Sequence, residues 1–179
     1  MKQSGTTLLE LMVVLSIAGI LLAIGIPAFN HLAHSIRLTS ATNELVSSLH
    51  LARSEAIKRN SRTVMCMSAT GTSCAASGGW QQGWLVFHDV NNNAVLDAGE
   101  TVILTRQAQP AGLLLTGNTP VSKYISYSPN GATKLISGAF QAGTLTLCNE
   151  SAVSGAAREV VVSNTGRPRT VKVTLASCP

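Results

Sequence analysis

Two arginines separated by one proline, in Gly166-Arg167-Pro168-Arg169, are the residues of this sequence best suited to chemistry. An arginine presents a planar fork of N–H donors that matches the oxygens of a phosphate. Pro168 holds the backbone extended or turned between the two, and Gly166 allows a tight entry, so both guanidinium groups are expected at one exposed tip. Between Ser151 and Pro179 four cations, Arg158, Arg167, Arg169 and Lys172, stand against one anion, Glu159, which is a net +3 of the chain's +5. Such a cluster binds a polyanion by neutralising phosphates and releasing their counterions, without reading bases. The stretch contains no aromatic residue for base stacking, so double-stranded DNA held by phosphate contacts is expected rather than a single strand. The competing reading is a solvated hairpin turn whose arginines serve solubility.

A second stretch, Asp89 to Glu100, places side-chain oxygens at Asp89, Asn91, Asn93, Asp97 and Glu100, which are positions 1, 3, 5, 9 and 12 of a calcium-loop register. Against calcium, Ala94 stands where that loop needs glycine, and the flanking residues read as strands. An Asx-rich hairpin connection is the preferred reading, with calcium as the lesser one. No Gly-rich phosphate loop, Ser/His/Asp arrangement or convincing carboxylate pair occurs, so neither an enzyme nor a cofactor is expected.

These loops need elements to hold them. The N-terminus opens with a polar leader, Met1-Lys2-Gln3-Ser4-Gly5, followed by an apolar run from Leu8 to Ile26 whose one charge is Glu10. About nineteen residues make roughly 28 Å of helix, enough to cross a bilayer. A secretory signal would place its cleavage site after the apolar run, whereas here the polar segment precedes it. Pro27 lies inside the helical pattern and predicts a kink or local unwinding. From Arg37 to Asn60, Leu38, Ala41, Leu45, Leu49, Ala52 and Ala56 recur every three or four residues, the pattern of an amphipathic helix. Its charges, Arg53, Glu55, Lys58 and Arg59 among them, read as a solvated face, with Lys58 and Arg59 suiting the last turn and Asn60 ending it.

Beyond residue 60 the chain predicts eight short strands: Arg62 to Met67, Gln82 to His88, Thr101 to Arg106, Leu113 to Thr116, Tyr124 to Ser128, Gly143 to Cys148, Glu159 to Ser163 and Thr170 to Leu175. The fold class is α+β. Four cysteines, Cys66, Cys74, Cys148 and Cys178, form an even set in a chain whose N-terminus predicts export, so disulfides are expected. Three pairings are open; proximity favours Cys66 with Cys74 and Cys148 with Cys178. Zinc is disfavoured, because no C-x-x-C spacing exists and the histidines are only His31, His34, His50 and His88.

The leader ending at Gly5, the apolar helix and Glu10 together resemble the prepilin signature of type IV pilins and type II secretion pseudopilins. The resemblance implies cleavage by a prepilin peptidase between Gly5 and Thr6 and methylation of Thr6, where the family usually has Phe. It also supplies a partner for Glu10, a carboxylate otherwise costly in a membrane, namely the α-amino group of a neighbouring subunit. The run Leu51 to Asn60, the strand Gly83-Trp84-Leu85-Val86-Phe87, the Asp89 to Glu100 turn and Ser128-Pro129-Asn130-Gly131 resemble the FimT/GspH subfamily of minor pilins and pseudopilins. A type IV pilin fold follows from that resemblance: leader 1–5, transmembrane and assembly helix 6–29, amphipathic helix 30–60 and a β-rich domain 61–179. The Gly-Arg-x-Arg tip resembles the motif of FimT-type minor pilins that bind DNA in natural transformation, which implies roles for Gly166, Arg167 and Arg169 with support from Lys172 and Arg158. The expected partners are other major and minor pilins, the peptidase, the inner membrane before assembly, and duplex DNA outside the cell. The alternative within the family is a structural minor pilin or secretion pseudopilin that primes fibre assembly without DNA.

Overall fold

The computed structural model describes residues 8–150 and 155–179, without the side chains at 27, 28, 30 and 31. Helix α1 runs from Leu8 to Arg59. The chain divides into two compact units between Arg37 and Leu38, where burial along the helix begins. The Leu8–Ile26 segment is 19 residues long, apolar and unburied, long enough to cross a membrane. A helix apolar on every side has no single core-facing stripe and suits lipid or packing between subunits. The helix continues through position 27, so the local unwinding predicted there is absent. A proline removes one intrahelical bond, and the bonds on either side carry the helix across it.

Within the second unit, the predicted face of α1 is the buried one: Leu38, Ala41, Leu45, Leu49, Ala52 and Ala56 are all in the core. Buried Thr42 and Ser48 donate to the helix's own carbonyls at Leu38 (2.6 Å) and Glu44 (2.9 Å), so neither hydroxyl is orphaned. The helix ends in a Schellman motif. Asn60 takes φ 49°, its N–H donates to Ile57 O at 3.2 Å, and Ser61 N–H donates to Ala56 O at 3.2 Å. The last-turn cations lie on the exposed face as expected, where Arg59 and Lys58 pair with Glu55 at 2.7 and 3.5 Å.

Eight strands follow: β1 (Thr63–Met67), β2 (Trp84–His88), β3 (Val102–Arg106), β4 (Leu113–Gly117), β5 (Tyr124–Tyr127), β6 (Gly143–Asn149), β7 (Gly155–Val162) and β8 (Pro168–Leu175). They form two antiparallel sheets, ordered β3-β2-β1-β5 and β4-β6-β7-β8. Both sheets turn alternate residues toward α1: Met65, Met67, Trp84, Val86, Ile125 and Tyr127 from the first, and Leu113, Leu115, Leu145, Leu147, Val160 and Val162 from the second. β7 begins at Gly155, four residues before its predicted start, because Gly155 to Arg158 pair in register with Leu175 to Lys172. Small residues with weak strand propensity gain their conformation from that neighbour.

The first sheet is covered on both faces. Val64, Cys66, Leu85 and Phe87 form a second, smaller core roofed by Ala94, Leu96, Cys74 and Tyr124. This accounts for the unbroken apolar runs in β1 and β2, which lack the alternation of a half-exposed strand. Both disulfides have the pairing that proximity favours, Cys66 with Cys74 and Cys148 with Cys178.

Candidate nucleic-acid interface

The basic tip is the turn of the β7–β8 hairpin. Gly166 N–H donates to Ser163 O at 2.8 Å, closing a turn over Asn164 and Thr165, and Gly166 itself takes φ +76°. That backbone conformation is one that glycine adopts without steric cost. The Ser163 hydroxyl donates to Arg167 O at 3.3 Å and lies 2.8 Å from the Thr165 hydroxyl, which holds the turn's shape. Arg167 and Arg169 are exposed, Pro168 is half-buried between them, and Gly166 is buried. Among the described residues neither guanidinium makes a hydrogen bond or an ion pair.

A second turn supports the first. Asn164 O accepts from Thr133 N–H at 3.1 Å, and Ser163 O accepts from the Thr133 hydroxyl at 2.9 Å. These bonds bring Ser128-Pro129-Asn130-Gly131 against the hairpin. A Cβ on Gly166 would overlap the Gly131 carbonyl oxygen and lie 3.1 Å from the Tyr127 ring. The same Gly131 oxygen accepts from Arg53 Nε of α1 at 3.1 Å. Beneath this junction the Tyr127 hydroxyl is buried without a partner among the described residues. Burial pushes its phenol well above the ordinary range, against a weaker opposing pull from the Arg53 charge.

The register separates the remaining cations from the tip. Arg169 lies opposite Val161, whereas Lys172 lies opposite Arg158. Residues three apart on a strand point to opposite faces, so Lys172 shares the face of Thr170 and Pro168, whose partners Val160 and Val162 are core residues. Arg158 is half-buried on that same face, and its Nη2 donates to Thr39 Oγ1 of α1 at 2.9 Å. Gly166, Arg167 and Arg169 are thus brought together, while Arg158 ties the sheet to the helix and exposed Lys172 stands across from it. Sequence reading placed Arg53 on a solvated helix face. Nothing local marks it, since its neighbour Gly131 is 78 residues away along the chain.

The Asp89 to Glu100 loop commits its oxygens to its own amides. Buried Asp89 accepts from Asn93 N–H (3.1 Å) and Ala94 N–H (3.0 Å), and Glu100 accepts from Val90 N–H (2.8 Å) and Asp97 N–H (3.0 Å). The amides of Asn91 and Asn93 both donate to Asp97 at 2.8 Å and hold its carboxyl below the usual range. This is the geometry of the Asx-rich connection, and it seats Ala94 and Leu96 as a roof over the second core. At the other end of the chain, Glu10 is exposed in the first turn of α1, and Gly5 and Thr6 lie outside the described residues.

Comparison with known proteins agrees with this architecture. The family model described as "Type II transport protein GspH" matches residues 41–166, and that described as "Prokaryotic N-terminal methylation motif" matches residues 1–26. Pilin-like protein PilA1 of Thermus thermophilus is 32% identical over 179 residues, covering 94% of this chain and 99% of that protein. The crystal structure of the type IV minor pilin FimU of Pseudomonas aeruginosa shares the fold at a TM-score of 0.58 and 20% identity, over 79% of this chain and 95% of FimU. A second crystal form of FimU aligns at 0.55 and 19% identity. A methylation-motif N-terminus, a long first helix and a GspH domain of two antiparallel sheets lead to one conclusion: the chain belongs to the GspH family of type IV minor pilins and pseudopilins.

Proposed function

We propose that this minor pilin presents Arg167 and Arg169 to extracellular double-stranded DNA and serves DNA uptake in natural transformation. The observation that carries this reading is the hairpin tip itself: two exposed arginines, unpaired among the described residues, on a hydrogen-bonded turn. An unpaired arginine on a hydrogen-bonded turn meets a phosphate without breaking an ion pair, and that gain is set against the rotamer freedom its exposed side chain gives up. Lys172 adds longer-range attraction. As a pilin, the chain assembles with other pilins in a fibre, and its apolar N-terminal helix serves as the anchor. The processing proposed with this role is cleavage after Gly5 by a prepilin peptidase, methylation at Thr6 and a single-pass stay in the inner membrane, with Glu10 meeting a neighbour's amino group in the fibre.

The test is duplex-DNA binding by the full chain in neutral-detergent micelles across a salt series. Sequence-independent binding is expected, with a log–log salt slope near −0.9 per phosphate contacted. Arg167→Gln with Arg169→Gln should abolish most of it, whereas Arg158→Gln, which loses its bond to Thr39, should retain it. Parent-like binding by the double variant would defeat the assignment.

The match to the GspH model over 41–166 also supports a second reading, a structural minor pilin or secretion pseudopilin that primes assembly. In cells, a deletion that loses transformation but keeps pili favours DNA uptake, and loss of pili favours assembly.

A further inference from the structure

The hairpin tip does not stand alone at its end of the domain. Its turn rests on the Ser128–Gly131 turn, and that turn is held by Arg53 through the Gly131 carbonyl oxygen. Only Nε of Arg53 is used there. Its two outer nitrogens have no partner among the described residues, and they are not among the buried, unpartnered atoms. The carboxylates on the buried half of α1 are engaged elsewhere: Glu55 by Arg59 and Lys58, and Glu44 by Arg106 and Gln109. Arg53 is half-buried, with its Nε already fixed, so its outer edge is pre-oriented before any ligand arrives. Its charge acts on the Tyr127 phenol, whose ring edge packs under Gly166. Through the Gly131 oxygen, Arg53 is therefore joined to the turn that carries the hairpin arginines.

We propose that Arg53 is a third phosphate-binding residue, and that duplex DNA lies across the junction of α1, the Ser128–Gly131 turn and the hairpin tip. The proposal rests on the DNA-binding reading of Arg167 and Arg169, and it names the rest of that site. Cations from two distant segments give a footprint wider than one turn, which suits a strand of regularly spaced phosphates better than a single anion. The fixed guanidinium edge also distinguishes Arg53 from Lys123 and Lys134, for which no such bond to the tip's support exists among the described residues.

The experiment measures fluorescence anisotropy of a short mixed-sequence duplex with the full chain in neutral-detergent micelles over a salt series, for Arg53→Gln, Arg53→Lys and Arg167→Gln. Arg53→Gln is expected to weaken binding uniformly across sequences and to reduce the magnitude of the salt slope by about 1. Arg53→Lys keeps the charge and is expected to hold the parental slope. If Lys fails as Gln does, with the slope lost in both, the role of Arg53 is to scaffold the turn, and the proposal is overturned. If Arg53→Gln leaves the slope unchanged while Arg167→Gln lowers it, DNA sits on the tip alone, which also overturns it. If no variant changes binding, the DNA reading of the tip fails as well.

Discussion

Gly166 packs so closely on the carbonyl oxygen of Gly131 that no side chain fits between them. The position of the two hairpin arginines is therefore set by a turn in a different part of the sequence. Both turns are further joined by the bonds of Thr133 to Asn164 O and Ser163 O.

Gly166→Ala meets two obstacles, the φ of +76° and the Gly131 oxygen, and is expected to cost roughly 1–3 kcal/mol of stability. Gly138 is the control. It has φ +86° with nothing within 4 Å, so Gly138→Ala carries the backbone cost alone, about 1 kcal/mol. Urea unfolding of the two variants should rank them in that order, and DNA affinity should fall only for Gly166→Ala.

Tyr127 makes the domain sensitive to alkali. Its phenol titrates near 10.0 when unfolded and higher when folded, because burial disfavours the phenolate. Below the unfolded value both states hold the proton, and this residue adds no pH dependence. Above it the unfolded chain releases a proton that the folded one keeps, so stability falls by up to about 1.4 kcal/mol per pH unit. Tyr127→Phe should flatten that slope in urea unfolding above the ordinary phenol range. At neutral pH it should be neutral or mildly stabilising, since the hydroxyl has no partner among the described residues.

Asp89 is a structural acceptor. Asp89→Ala leaves the N–H groups of Asn93 and Ala94 without their acceptor and loosens the roof over Val64, Cys66, Leu85 and Phe87. The expected loss is about 1–3 kcal/mol, read as a lower urea midpoint, with DNA binding at low denaturant unchanged.

The strands and the helix were largely legible because their signals are local. The spacing of Leu38, Ala41, Leu45, Leu49, Ala52 and Ala56 specifies one buried face wherever the helix packs, and Asn60 is a residue that tolerates the left-handed conformation at its end. The early start of β7 was not legible, since Gly155, Ala156 and Ala157 owe their extended form to pairing with β8. The Asp89 to Glu100 loop was legible as a turn but not as a roof, because side-chain oxygens at calcium-loop spacing say nothing of what Ala94 and Leu96 cover.

The same division holds for the site. Residue types and spacing alone determined that Gly166, Arg167 and Arg169 share a tip, that four cysteines can pair, and that the first apolar run is long enough to cross a membrane. Those properties depend on chain chemistry within a few residues. Which cations stand together was decided only by tertiary structure. Strand pairing put Lys172 opposite Arg158 and away from Arg169, and the contact of two turns carried Arg53 to Gly131, 78 residues distant. Pleat parity and long-range backbone contact have no local signature, because each depends on where a different segment of the chain has settled.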